Sequence, residues 1–226
     1  MFFHPMDFLI IIALGLAFWA QSRVKGNFQK WSNVKVSSNM TGAQTARHIL
    51  DKEGLSHVRV ELSKSGALSD HYDPTAKAVR LSEPVYRGNS ISSMAVAAHE
   101  VGHAIQDDTK YSMLVLRHKL FPLASIGSQL APMLFLGGLL LGMTNLIGVG
   151  IVLFSGAVLF QVVTLPVEFD ASNRAKNKLL EFGMIANREE KGIGKVLNAA
   201  ALTYVASTLM AVLQLLKFIM IFRGRR

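Results

Sequence analysis

From Leu120 through Val167 the chain of 226 residues carries no Asp, Glu, Lys, Arg or His, an uninterrupted run of 48. No other feature limits the possible folds as much. A bilayer core is crossed by about 20 apolar residues, so this run is long enough for two crossings and a turn. The spacing places the spans at Leu120–Leu141 and Leu146–Leu165, joined at Gly142-Met143-Thr144-Asn145. Half of the residues are hydrophobic, and they are clustered rather than dispersed, as in an integral membrane protein.

Two further apolar segments flank this hairpin. Met6–Ala20 ends in Phe18 and Trp19, aromatic residues suited to a membrane interface. No Lys or Arg precedes Arg23 and no small-x-small cleavage site is present, so the segment reads as an uncleaved anchor rather than a signal peptide. Arg23, Lys25, Lys30 and Lys35 follow it, which orients it from outside to inside. Val196–Leu216 is uncharged for 21 residues and crosses once more, packs against the catalytic domain or lies in the interface. A fourth crossing would carry the tail Arg223-Gly224-Arg225-Arg226 outside, against the charge bias. The net charge of +9 sits beside apolar segments and no nucleic-acid-binding motif accompanies it, so nucleic acid is not expected as a partner. With no cysteine, only histidine and carboxylates are left to ligate a metal.

The chemistry-bearing stretch is His99-Glu100-Val101-Gly102-His103. A chance match to this pattern in a chain of this composition has a probability of roughly one in a hundred. It lies in Ser92–Gln106, an Ala-, Val- and Met-rich run without proline that reads as a buried helix. Residues i and i+4 of a helix share a face, so His99 and His103 can turn ring nitrogens toward one ion. Glu100 lies about 100° further round, where it can take a proton from a zinc-bound water without ligating the metal. The expected reaction is hydrolysis of a peptide bond, with Zn²⁺ as cofactor and a protein or peptide as substrate.

Two crossings return the chain to the side it left, bringing Glu168 back to the level of the histidines. A catalytic zinc takes three protein ligands and keeps a place for water. Glu168 is the expected third ligand and Asp170 the alternative; two residues apart on a helix, they cannot both face the ion. A solvated carboxylate at a helix start is the non-functional reading of Glu168. Asn173–Lys195 is basic and soluble in character.

Between the anchor and the HEVGH helix the pattern changes. Thr41-Gly42-Ala43-Gln44 is a capping box that starts a short helix, which Gly54 ends. Val58–Leu62, Ala67–Tyr72 and Ala78–Leu81 read as extended, with turns at Ser63–Gly66 and Asp73-Pro74, together a small β-meander. An edge strand of it could pair with an extended substrate, or the strands could simply cap the core.

With Gly66-Ala67-Leu68-Ser69-Asp70-His71-Tyr72-Asp73-Pro74, then HEVGHAIQ, a membrane hairpin and PVEFDASNRA, the chain resembles the bacterial YugP-like neutral zinc metallopeptidases from its HPMDF start to ALTYVA. More distantly it is similar to HtpX/Ste24-type membrane proteases, which are gluzincins. The resemblance implies that His99, His103 and Glu168 are zinc ligands, that Glu100 is the general base, and that a β-hairpin edge lines the substrate cleft. In the HtpX/Ste24 pattern an aspartate stands where Ser172 stands here, so Ser172 or Asp170 is left to orient the first histidine. His71, Tyr72, Arg174 and Tyr204 are chemically able to stabilise an oxyanion. His4, His48, His57 and His118 have no partner at ligand spacing.

The expected fold is therefore mainly α with a small β-meander, an integral membrane zincin-like metallopeptidase with an N-terminal anchor and a transmembrane hairpin inserted in its catalytic domain. Its expected divisions are an anchor (1–22), a first catalytic part (23–119), the hairpin (120–165), a second catalytic part with the third-ligand helix (166–195), and an apolar helix with a basic tail (196–226). The expected location is a bacterial cytoplasmic membrane, multi-pass, with the site facing the cytoplasm and the bilayer as a partner. A non-catalytic, zinc-stabilised scaffold or chaperone is the alternative, which an intact Glu100 disfavours. A transport path is disfavoured by spans without ionisable groups. Oligomeric state leaves no signature in the sequence.

Overall fold

A computed structural model describes residues 5–66 and 69–224. His4, the first two residues of the stretch expected over Ala67–Tyr72, and Arg225 and Arg226 of the tail lie outside the described residues. Seven helices and three strands occur among the described residues: α1 Pro5–Ser32, α2 Gly42–Lys52, β1 Arg59–Leu62, β2 His71–Asp73, β3 Ala78–Leu81, α3 Glu83–Arg87, α4 Ile91–Asp108, α5 Ser112–Leu140, α6 Thr144–Glu181 and α7 Asn187–Arg223. The chain forms two compact units.

The first unit comprises Met1–Ala20, Ser112–Pro166 and Thr203–Arg226. Its helices expose large apolar side chains, among them Phe8, Ile11, Phe18, Phe121, Met133 and Val152. Helices can do this in lipid because each satisfies its own backbone polar groups. A tight turn between Leu140 and Thr144 joins α5 to α6. α7 packs with them: Phe218 stacks on Phe135 at 3.9 Å between ring centroids, and Thr208 Oγ1 donates to the Gln161 carbonyl at 3.3 Å. Lys217 pairs with Asp7, tying α7 to α1. Four described helices, α1, α5, α6 and α7, are long and apolar enough to cross a membrane; this is a multi-pass membrane protein.

The second unit comprises Gln21–Tyr111 and Val167–Leu202. The capping box forms as the sequence dictates: Thr41 Oγ1 accepts from the Gln44 N–H, and Gln44 Oε1 accepts from the Thr41 N–H at 2.8 Å. Just beyond the end of α2, Gly54 adopts φ +75°, a backbone state that costs a Cβ-bearing residue energy. α2, β3, α3 and α4 enclose a core that includes Ile49, Leu50, Leu81, Val85, Ile91 and Met94.

The sheet corrects the expected meander. Strand order is β1-β3-β2, with β1 parallel and β2 antiparallel to β3. The reason is burial. β3 carries Ala78, Val79 and Leu81, all fully buried, and takes the centre. β1 and β2 are rich in polar and charged residues and take the edges, so the chain passes from one edge to the other before filling the middle. β1 and β3 fall where the sequence places extended stretches, whereas β2 overlaps the expected Ala67–Tyr72 at His71 and Tyr72 and extends into Asp73, expected as a turn; the pairing depends on which strand is most apolar.

Candidate metal centre

α4 is capped at its N-terminus by Ser90, whose hydroxyl accepts from the Ser93 N–H at 3.1 Å. Its register puts His99 and His103 on one face, with their rings 4.8 Å apart and nearly perpendicular. Gly102 explains how a later helix comes near enough to complete the site. A Cβ built on Gly102 would lie 2.5 Å from the Ala171 carbonyl oxygen of α6. Only glycine permits that approach, and one turn before Ala171 α6 carries Glu168.

Glu168 is buried, with its side chain 3 % exposed, and its Oε2 lies 3.3 Å from His99 Nε2 and 3.6 Å from His103 Nε2. Among the described residues, this is the group whose ligand atoms gather closely enough to hold a metal, all within 4.8 Å of one another. Bonds of 2.0–2.2 Å from a tetrahedral Zn²⁺ separate neighbouring ligand atoms by about 3.4 Å. The two Glu168–histidine separations bracket that value and the whole set lies within 4.8 Å, so the residues present suit the ion.

The rings are held from behind. Gln106 Nε2 donates to the Val167 carbonyl at 2.8 Å and to Asp170 Oδ2 at 2.7 Å. Its Oε1 is therefore left to face His103 Nδ1 at 3.0 Å. A carbonyl oxygen can only accept, so Nδ1 carries the proton and Nε2 presents its lone pair to the site. Asp170 also accepts from Arg174 Nε at 2.6 Å. It thus supports Gln106 instead of competing with Glu168. On the other histidine, Ser172 Oγ lies 3.2 Å from His99 Nδ1, so of the two residues left by the sequence pattern Ser172 contacts this ring.

Electrostatics favour a cation here. Burial opposes a charge on His103, but the Glu168 carboxylate, and Glu100 further off, outweigh it and raise the imidazole pKa above its ordinary value. Glu100 is itself buried, 8 % exposed.

Of the oxyanion candidates, Tyr72 donates its hydroxyl to Asp107 at 2.7 Å. Burial, with Asp107 adding to it, pushes that phenol well above the usual range. His71 Nδ1 lies 2.8 Å from the Ser69 carbonyl in an exposed position. Tyr204 belongs to the first unit. Arg174 is connected to His103 by hydrogen bonds through Asp170 and Gln106. Gln106 received no role from the sequence, although its place three residues after His103, on the same face, was the available signal.

Two histidines four apart, a glutamate between them and a carboxylate from a later helix, in a chain with membrane-length helices, define an HExxH metallopeptidase of membranes. The family model described as "Putative neutral zinc metallopeptidase" matches residues 6–223, and the chain belongs to that family. It is similar to the "Putative membrane protease YugP" of Bacillus subtilis (strain 168), 60% identical over 219 residues that cover 97% of each chain. No solved structure matches significantly. The chain's activity is that of a zinc-dependent endopeptidase.

Proposed function

We propose that His99, His103 and Glu168 hold a catalytic Zn²⁺ and that Glu100 is the general base of peptide-bond hydrolysis. The observation that carries this is the spacing of Glu168 Oε2 from the two Nε2 atoms, 3.3 and 3.6 Å. A bound zinc would supply Lewis acidity, acidifying water and polarising the scissile carbonyl. The chain's own residues do the rest. Gln106 and Ser172 keep the imidazoles turned so that Nε2 faces inward. Glu100 takes the proton of the attacking water and delivers it to the leaving amine. An extended substrate adding to the free side of β2 would be held mainly through its backbone. Purified full-length protein should cleave a disordered protein substrate, lose that activity to a zinc chelator, and regain it with added Zn²⁺. Chelator-resistant cleavage would sink the reading.

The division into anchor 1–22, catalytic parts 23–119 and 166–195, hairpin 120–165 and C-terminal part 196–226 belongs to this proposal, with α7 as a fourth span. So does a cytoplasmic site: Arg23, Lys25, Lys30 and Lys35 follow the anchor on the side where the HEVGH residues lie. A reporter that works only in the cytoplasm, fused after residue 35, should be active. Silence from an expressed fusion would reverse the orientation. Such a site would reach chains that are in, or emerging at, the membrane.

A further inference from the structure

The second unit carries a groove of about 480 Å³ between α1 and α7, away from the residues of the metal centre. Three cations line it: Arg23 and Lys30 from α1, and Lys195 from α7. Ser22, Asn27 and Asn198 add polar atoms, and no carboxylate is among the described lining residues. Lys195 makes no ion pair among the described residues. Elsewhere in this unit the basic groups are commonly neutralised, as in Lys176–Glu190 and Lys178–Glu53. A concave site that gathers three cations from two helices, with no carboxylate among its described lining residues, suits an anion.

Position along the helices indicates where that anion comes from. Ser22 and Arg23 follow Ala20, the last residue of the first unit's α1 segment; Asn198, Ala199 and Leu202 directly precede Thr203, where that unit resumes in α7. At about 1.5 Å per residue these positions lie within about 8 Å of the apolar segments, the depth of a lipid headgroup layer. Lys30 and Lys195 lie further out, and their flexible stems can reach back toward that layer. Leu202, partly exposed, offers an apolar wall at the same end. Further along, Trp31 closes the seam: a Cβ on Gly192 would stand 2.9 Å from its ring. Gly26 lines the groove and faces open space, where a Cβ would meet no atom within 4 Å.

We propose that this groove binds the phosphodiester headgroup of an anionic phospholipid, seating the enzyme in membranes that contain such lipids. The occupant is a lipid and not a soluble anion because the groove has its apolar wall at headgroup depth, within reach of the flexible stems of Lys30 and Lys195. Generic attraction of flanking lysines to a charged surface is a different mechanism, and Lys25 and Lys35, which do not line the groove, allow the two to be separated.

The test uses full-length protein in detergent, titrated with equimolar phosphatidylglycerol and phosphatidylcholine of identical acyl chains, with retained lipid counted by native mass spectrometry. Wild type should retain phosphatidylglycerol in preference. Lys30→Gln with Lys195→Gln should weaken that retention by roughly 25-fold, about fivefold per charge. Lys25→Gln with Lys35→Gln removes equal charge outside the groove and should change it by less than about twofold. Gly26→Leu keeps every charge, fills open space and should also lose the preference; circular dichroism identical to wild type certifies its fold. Equal retention of both lipids by wild type, or equal losses in the two lysine pairs, would overturn the proposal. So would displacement of the lipid by millimolar inorganic phosphate, or undiminished selectivity in Gly26→Leu.

Discussion

Glu168→Ala and His103→Ala should each take the detergent-purified protein from about one zinc per chain to a small residue of that, measured by elemental analysis after dialysis against trace chelator. The size of the effect follows from the donor set. Losing a group that merely supports a ligand costs roughly 10–100-fold in metal affinity, and losing one of three ligands costs more. Glu168 is the stronger test because it brings the negative charge. Without it, two neutral imidazoles remain, and the attraction that lifts His103 loses its main source. Its burial raises the question of folding, so Glu168→Gln, close in volume, belongs beside it. Circular dichroism should be unchanged in that variant while zinc is lost. Full zinc in a folded Glu168→Ala protein would remove Glu168 from the ligand set and bring back Asp170, which accepts from Gln106 and Arg174.

What could be read from the sequence here is what local periodicity controls. The i, i+4 spacing of His99 and His103 is a property of one helix, as are the capping box at Thr41 and the helix end at Gly54. The long uncharged run announces its crossings because lipid penalises charge along every turn. What stayed hidden depends on two elements meeting. Pro166 follows the expected end of a span at Leu165, yet α6 runs through it as one helix from Thr144 to Glu181. Gly102, with Ala95, Ala97, Ala98 and Ala104, reads as keeping the space around the histidines open to further ligands; that the Ala171 carbonyl comes against it appears only in the structure. Gln106 shows no role until Asp170 and the Val167 carbonyl claim its amide nitrogen. The order of the strands escaped for the same reason: alternation marks a strand but not its neighbour. Flanking lysines were visible as charges, and their convergence on one groove was not.

Glu100→Gln separates the chemistry from the metal site. The substitution keeps shape and removes the base, so proteolysis should fall by about 10²–10⁴-fold while zinc stays near one per chain. A scaffold that used the metal only for stability would show no such split, because nothing in its function would depend on a proton acceptor beside His99. Glu100 also contributes to the negative potential at His103, so some weakening of zinc binding is expected in the variant. Assays therefore belong at saturating zinc, where occupancy is equal and the difference in rate belongs to the carboxylate. The pH profile gives a second readout. General-base catalysis by a carboxylate loses activity as pH falls through the pKa of that group, and in the glutamine variant this acid limb should disappear along with most of the rate. A variant that keeps both the rate and the acid limb would assign the base to another residue of the site.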